Sequence, residues 1–207
     1  VKCRVLAMGR AAVLVETEDG EQAQALHAEL LRRRASGEFP EVREIVPAAR
    51  TVLVGGLTDP RAFAAAVARW DVPPVAAGGG GLREVPVRFD GPDVAEVAAL
   101  WTVTREELIR IVTATPFRVA FCGFAPGFAY LTGLPPGLHV PRRPTPRTAV
   151  AAGSLGLAGP YAGLYPRSSP GGWQLVGTTR APLWDPARDA AALLSPGTEV
   201  RFTEVPG

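Results

Sequence analysis

From Leu108 to Trp184 the chain has no Asp or Glu, yet it carries Arg110, Arg118, Arg142, Arg143, Arg147, Arg167 and Arg180. A formal charge of +2 for the whole chain therefore divides into +7 inside this window and −5 outside it. A segment without carboxylates has none of its own to serve as base, acid or metal ligand. It can hold an anion, through guanidinium forks and backbone N–H groups. Three phrases in the window concentrate the residue types that such chemistry uses. They are GFAPGFAYL at Gly123–Leu131, PRRPTPRTAVAAGSLG at Pro141–Gly156 and GLYPRSSPGGWQLVG at Gly163–Gly177.

In the second phrase Arg142, Arg143 and Arg147 are set among Pro141, Pro144 and Pro146, which hold the chain extended and lower the entropy of presenting the guanidinium groups. Ser154 offers a hydroxyl but does not sit in G-x-S-x-G, which argues against a serine nucleophile. In the third phrase Gln174 carries the side-chain amide, able to donate and accept in one plane as an amide or urea-like ligand requires. Strand alternation sends Trp173 and Gln174 to opposite faces. Tyr165 precedes Pro166, a position where a cis peptide is an option. In the first phrase, Phe124, Phe128 and Tyr130 either wall a pocket or fill an aromatic core corner. His27 falls in a helix and His139 in a loop, and neither has the company of a catalytic histidine.

The elements that must position these residues form two domains. Residues 1–70 read as ββαββα, a small α/β sandwich: strands at Cys3–Met8, Ala11–Val15, Val42–Val46 and Thr51–Val54, and helices at Glu21–Arg34 and from Pro60 to about Trp70. The triplet Arg32–Arg34 falls late in the first helix and reads as a solvated face, not a nucleic-acid patch. Residues 71–83, with Pro73-Pro74 and Gly78–Gly81, read as a linker; no GK[ST] follows the glycines, so they make no phosphate loop. Residues 84–207 read as a β-barrel domain. A strand at Glu84–Phe89 leads into helices Val94–Trp101 and Arg105–Thr113, the second opened by a Thr104/Glu107 capping box. A strand at Phe117–Gly123 and a series of short strands between Gly/Pro turns follow, with no further helix of useful length before Asp185–Leu194. The fold class is thus α+β.

Composition narrows the function classes. Lys2 is the one lysine, so interior Schiff-base and P-loop lysine chemistry are out. Cys3 and Cys122 suit neither a disulfide framework nor a zinc site. With no apolar signal core and no stretch of spanning length, the expectation is a cytoplasmic protein without membrane or nucleic-acid partners.

The three phrases, with VPAARTVLV at Val46–Val54, resemble the KipI-like family, also called allophanate hydrolase subunit 1, which includes the B-type (PxpB-like) subunit of bacterial 5-oxoprolinase. The resemblance runs over almost the whole chain. It implies a small N-terminal α/β domain and a cyclophilin-like β-barrel. It also implies a KipA-like partner (allophanate hydrolase subunit 2) and a LamB/YcsF-like third subunit, acting together in ATP-dependent opening of 5-oxoproline. Carried onto the matching phrases, it points to Arg143, Arg147, Ser154, Tyr165, Ser169 and Gln174 as substrate-binding residues, with no metal. Where relatives carry His before Thr-Ala, this chain has Val112 before Thr113-Ala114. The expected function is a subunit that is inactive alone and binds a small carboxylate or amide in a site shared with its partner. The alternative implied by one family member is inhibition of a sensor histidine kinase. Prolyl isomerisation would follow from fold analogy alone, which does not carry activity.

Overall fold

The computed structural model describes residues 3–74 and 81–206 and divides into two compact units, Val1–Ala77 and Gly78–Gly207. Residues 75–80 of the expected linker lie outside the described residues.

In the first unit the order is β1 (Cys3–Ala7), β2 (Ala12–Thr17), α1 (Gly20–Ala35), β3 (Glu44–Pro47), β4 (Thr51–Gly55) and α2 (Pro60–Val67). The strands form an antiparallel sheet in the order β1-β2-β4-β3. Alternation in β2 and β4 buries Val13, Val15, Val52 and Val54 against Ala23, Leu26 and Leu30 of α1. Asp19 caps α1 by accepting from the Gln22 N–H at 2.8 Å, and Asp59 caps α2 through the Arg61 and Ala62 N–H groups. The helix α2 ends at Val67 rather than near Trp70. Trp70 instead closes an aromatic trio with Phe39 and Phe63. The arginine triplet is not a simple solvated face. Arg33 lies 4.1 Å above the Trp70 ring and pairs with Glu29 and Glu38, while Arg32 also pairs with Glu29.

The second unit opens with β5 (Leu82–Val87), α3 (Val94–Trp101), α4 (Arg105–Ala114), β6 (Phe117–Cys122) and β7 (Ala129–Thr132). It continues with β8 (Arg147–Val150), β9 (Ser154–Ala158), β10 (Tyr161–Leu164), β11 (Ser169–Gly171), β12 (Gln174–Thr178) and β13 (Glu199–Glu204). Seven strands make one sheet in the order β12-β9-β10-β7-β6-β13-β5. The sheet curls until Arg88, just past β5, exchanges two 2.8 Å backbone hydrogen bonds with Thr178 at the end of β12. That bridge nearly closes a barrel and leaves few unpaired edges. Strands β8 and β11 form a separate two-stranded ribbon.

The barrel core holds Val85, Val87, Phe117, Val119, Leu131, Leu155, Leu157, Leu164, Val176 and Phe202, joined by Val97 and Trp101 of α3 and Leu108 and Val112 of α4. The Thr104/Glu107 capping box is formed in both directions, each bond 3.2 Å. A second cluster gathers Phe128, Val150, Tyr165, Trp173 and Leu175, so Phe128 fills a core corner while Phe124, 60% exposed, does not. The stretch Asp185–Leu194, where the sequence pattern points to a helix, is a turn. Trp184 bridges to Ala192, Leu193 donates to the Leu183 carbonyl, and Leu183 and Leu194 are buried in the barrel core. Pro186 and this pairing override the helix propensity of its alanines. Among the described residues no peptide is cis, Tyr165–Pro166 included, and no helix is long and apolar enough to cross a membrane.

Candidate functional site

The acid-free window is not left without counter-ions, because carboxylates of the α3 segment reach Arg143 and Arg147. The loop before this helix runs Phe89-Asp90-Gly91-Pro92-Asp93, and Gly91 lies so close to β12 that a Cβ there would stand 2.3 Å from the Leu175 carbonyl oxygen. Only glycine permits that approach. Asp93 occupies the N-cap position of α3, yet its side chain does not cap its own helix. It turns instead to β12 and the arginines. Asp93 Oδ2 accepts the Leu175 N–H at 2.6 Å, while Oδ1 takes Arg147 at 2.7 Å and Arg143 at 3.0 Å. The Asp93 side chain is 5% exposed, against 24% for Arg147 and 30% for Arg143.

One helical turn on, Glu96 shares that face of α3, as a spacing of three residues requires. Its Oε1 accepts from Gln174 Nε2 at 3.0 Å and its Oε2 from Arg143 at 3.4 Å. Glu96 is 53% exposed, whereas Gln174, at the start of β12, is 1% exposed. The proline-set loop places Arg143 by a backbone bond from its N–H to the Gly172 carbonyl at 2.8 Å. Arg147 opens β8 opposite Gly171 and also donates to the Trp173 carbonyl at 3.4 Å. Three buried polar atoms here have no hydrogen-bond partner among the described residues: Gln174 Oε1, Arg143 Nε and Ser169 Oγ. Orphaned atoms of this kind are rare in folded proteins, and each calls for a partner, a water or a functional role.

Of the residues singled out from sequence, Arg143, Arg147 and Gln174 meet around Asp93 and Glu96. Ser169 lies on the β8–β11 ribbon opposite Val150. Ser154 and Tyr165 are joined through their backbones, with the Tyr165 N–H donating to the Ser154 carbonyl at 2.9 Å. Tyr165 belongs to the aromatic cluster, where burial pushes its phenol above the ordinary range. Its hydroxyl fills the space beside Gly171, where a Cβ would come within 2.5 Å. His139 is exposed, and its ring Nε2 lies 3.3 Å from the Leu134 carbonyl. Val112 is fully buried in the barrel core. A histidine at that position would bring an imidazole into apolar surroundings.

Sequence reasoning missed Asp93 and Glu96, because a search for function inside the acid-free window leaves out the carboxylates that complete it. Their three-residue spacing at the start of α3 puts them on one face but does not say what that face meets. Together the five side chains make a polar cluster with two cations, two carboxylates and one amide. Guanidinium groups and a side-chain amide are the chemical types that recognise carboxylates and amides. No group of three or more His, Cys, Asp or Glu side chains suited to a metal ion occurs among the described residues.

Residues 3–194 match the family model described as carboxyltransferase domain, subdomain C and D. The B-type subunit of 5-oxoprolinase from Escherichia coli O157:H7 is 48% identical over 122 residues, covering 58% of this chain and 56% of that protein. Its counterpart of the same description from Haemophilus influenzae is 45% identical over 122 residues, covering 58% and 57%. The chain thus spans about half the length of the curated relatives it matches. Among solved structures, TTHA0988 superposes with a TM-score of 0.79 at 32% identity, over 95% of this chain and 40% of that one. The Kluyveromyces lactis urea carboxylase gives a TM-score of 0.70 at 19% identity over 99% of this chain and 22% of its own, a likeness of fold.

Proposed function

The chain belongs to the carboxyltransferase domain family, subdomain C and D, and from that membership we propose that it is a subunit of a 5-oxoprolinase-type hydrolase. The observation that carries the proposal is the convergence of Arg143, Arg147 and Gln174 on the α3 carboxylates in a chain 48% identical, over its matched segment, to a B-type 5-oxoprolinase subunit. A 5-oxoproline-like substrate has a carboxylate and a lactam. Arg143 supplies the charge for the first, and the Gln174 amide has the donor and acceptor for the second. Asp93 holds both guanidinium groups from behind, which keeps the cations oriented before substrate arrives. Ser169, with its unpartnered hydroxyl, is a further contact. Ser154 and Tyr165 shape the wall behind.

Companion subunits complete the enzyme in this reading: a KipA-like protein and a LamB/YcsF-like one. Bond-breaking needs a base or an activated oxygen, and the buried carboxylate of this site, Asp93, is committed to two arginines and a backbone N–H. In this reading the chemistry is completed across an interface, and this subunit is inactive alone. ATP, which the family implies, is assigned to the assembled enzyme in this reading. No step on this chain is routed through the nucleotide.

The test is 5-oxoproline-dependent ATP hydrolysis by the purified chain, by its companions and by the reconstituted mixture. Activity only in the mixture, lost with Arg143→Ala, is the expected result. Turnover by this chain alone would overturn the shared-site reading.

A further inference from the structure

The two carboxylates of α3 differ in how they are held. Asp93 is 5% exposed and makes three short bonds, one of them to a buried backbone N–H. Removing it would leave that N–H without an acceptor and take from the two guanidinium groups the one they share. Glu96 is 53% exposed and has two contacts, at 3.0 and 3.4 Å, both to side chains. Both of those side chains retain an unused buried polar atom: Oε1 of Gln174 and Nε of Arg143. Glu96 is an acceptor and cannot engage the Gln174 oxygen, so that atom stays open beside it, as does the Arg143 Nε donor.

We infer that Glu96 is an internal stand-in for a ligand carboxylate, seated on Arg143 and Gln174 until a small carboxylate displaces it. The inference rests on the proposed function only in taking Arg143 and Gln174 as ligand-binding. A carboxylate is the chemical match because Glu96 already shows the binding mode: one oxygen on an amide N–H, the other on a guanidinium. The displaced side chain has solvent to move into, since it projects from the first turn of α3 and is half exposed. The incoming molecule gains what Glu96 does not use. A lactam or amide N–H can donate to Gln174 Oε1, and an oxygen can accept from Arg143 Nε. Asp93 stays in place throughout, so the arginines remain oriented during the exchange. The free chain therefore carries a built-in competitor, and apparent affinity for carboxylates is lowered by the fraction of time Glu96 holds the seat.

The decisive experiment titrates the chain and its Glu96→Gln variant with acetate, L-5-oxoproline and 2-pyrrolidone, followed by NMR chemical-shift changes of the Gln174 side-chain amide. Glu96→Gln is expected to tighten acetate and 5-oxoproline by about tenfold, because the charged competitor is gone. It should leave 2-pyrrolidone, which has no carboxylate, unchanged. Arg143→Ala should abolish acetate binding in either background. Equal or weaker carboxylate binding by Glu96→Gln overturns the inference, as does the absence of acetate binding in both proteins. A Glu96→Ala variant, with melting curves for all forms, separates lost folding from lost competition. The acetate result stands whether or not the reconstituted complex turns over 5-oxoproline, so the two proposals fail separately.

Discussion

Asp93 and Leu175 exchange two hydrogen bonds: the Asp93 N–H donates to the Leu175 carbonyl at 3.0 Å, and the Leu175 N–H donates to Asp93 Oδ2 at 2.6 Å. A side chain thereby substitutes for a neighbouring strand at the edge of β12, close to where the register against β9 shifts between Leu175 and Gly177. The same carboxylate then spends its other oxygen on Arg143 and Arg147. One residue thus fastens α3 to the barrel and sets the orientation of the cations.

Asp93→Ala leaves a buried backbone N–H and two half-buried guanidinium groups without their shared acceptor. The expected cost is about 2–4 kcal/mol of unfolding free energy. Asp93→Asn still accepts from Leu175 and should cost less, while weakening the hold on both arginines. Urea denaturation of the two variants checks the order. If alanine costs no more than asparagine, the carboxylate is not what fastens the helix.

This arrangement explains what was legible in the sequence and what was not. Element order is written in local patterns: valine alternation in β2 and β4, Asp19 and Asp59 before helices, and the capping box at Thr104. Arg143, Arg147 and Gln174 stand out because prolines and glycines surround them. Asp93 and Glu96 do not, because their meaning comes from a crossing 82 residues away in the chain for Asp93 and Leu175, and no local spacing encodes that approach. Gly91 is its one local trace, and a glycine before a proline reads equally well as an ordinary turn. The turn at Asp185–Leu194 fails for the same reason. Its alanines favour a helix, but Leu183 and Leu194 are claimed by the barrel core.

Acid should loosen the first unit through Glu29. Hydrogen bonding from Arg32 is the main cause that brings this carboxyl from 4.5 to about 2, with burial opposing and Arg33 reinforcing the shift. A depressed folded-state value means the stabilisation is complete above the ordinary value and disappears as pH falls from about 4.5 toward 2. Because Arg32 is 64% exposed, solvent screening limits the contribution to about 1 kcal/mol. Hydrogen exchange of α1 amides across that range should show the loss, and Glu29→Gln should flatten it. An unchanged acid profile in the variant would remove Glu29 as the cause.

Cys122 should resist alkylation. Burial pushes its thiol up to about 11, so the thiolate fraction at pH 8 falls about a hundredfold below that of a free thiol. Its Sγ also contacts the Leu194 carbonyl at 3.6 Å. Iodoacetamide labelling followed by mass spectrometry should find Cys122 modified far more slowly than a cysteine-containing peptide at the same pH. Labelling at the peptide's rate would mean the barrel wall opens readily at β6.

Phe124 has a φ of +67°, in the left-handed region that costs a non-glycine residue roughly 1 kcal/mol. Its ring meets Phe128 and Tyr165 edge-on, with centroids 5.2 and 6.3 Å away, but remains 60% exposed. Phe124→Gly relieves the backbone and loses modest contact, so its stability should stay within about 0.5 kcal/mol of the parent. Phe124→Ala keeps the strain and loses the contact, and should be the less stable of the two by about 1 kcal/mol. Melting the two variants side by side isolates the backbone contribution, since both lack the ring. Equal melting temperatures would mean the turn relaxes out of the left-handed region once the ring is removed, with the aromatic contacts alone holding it there.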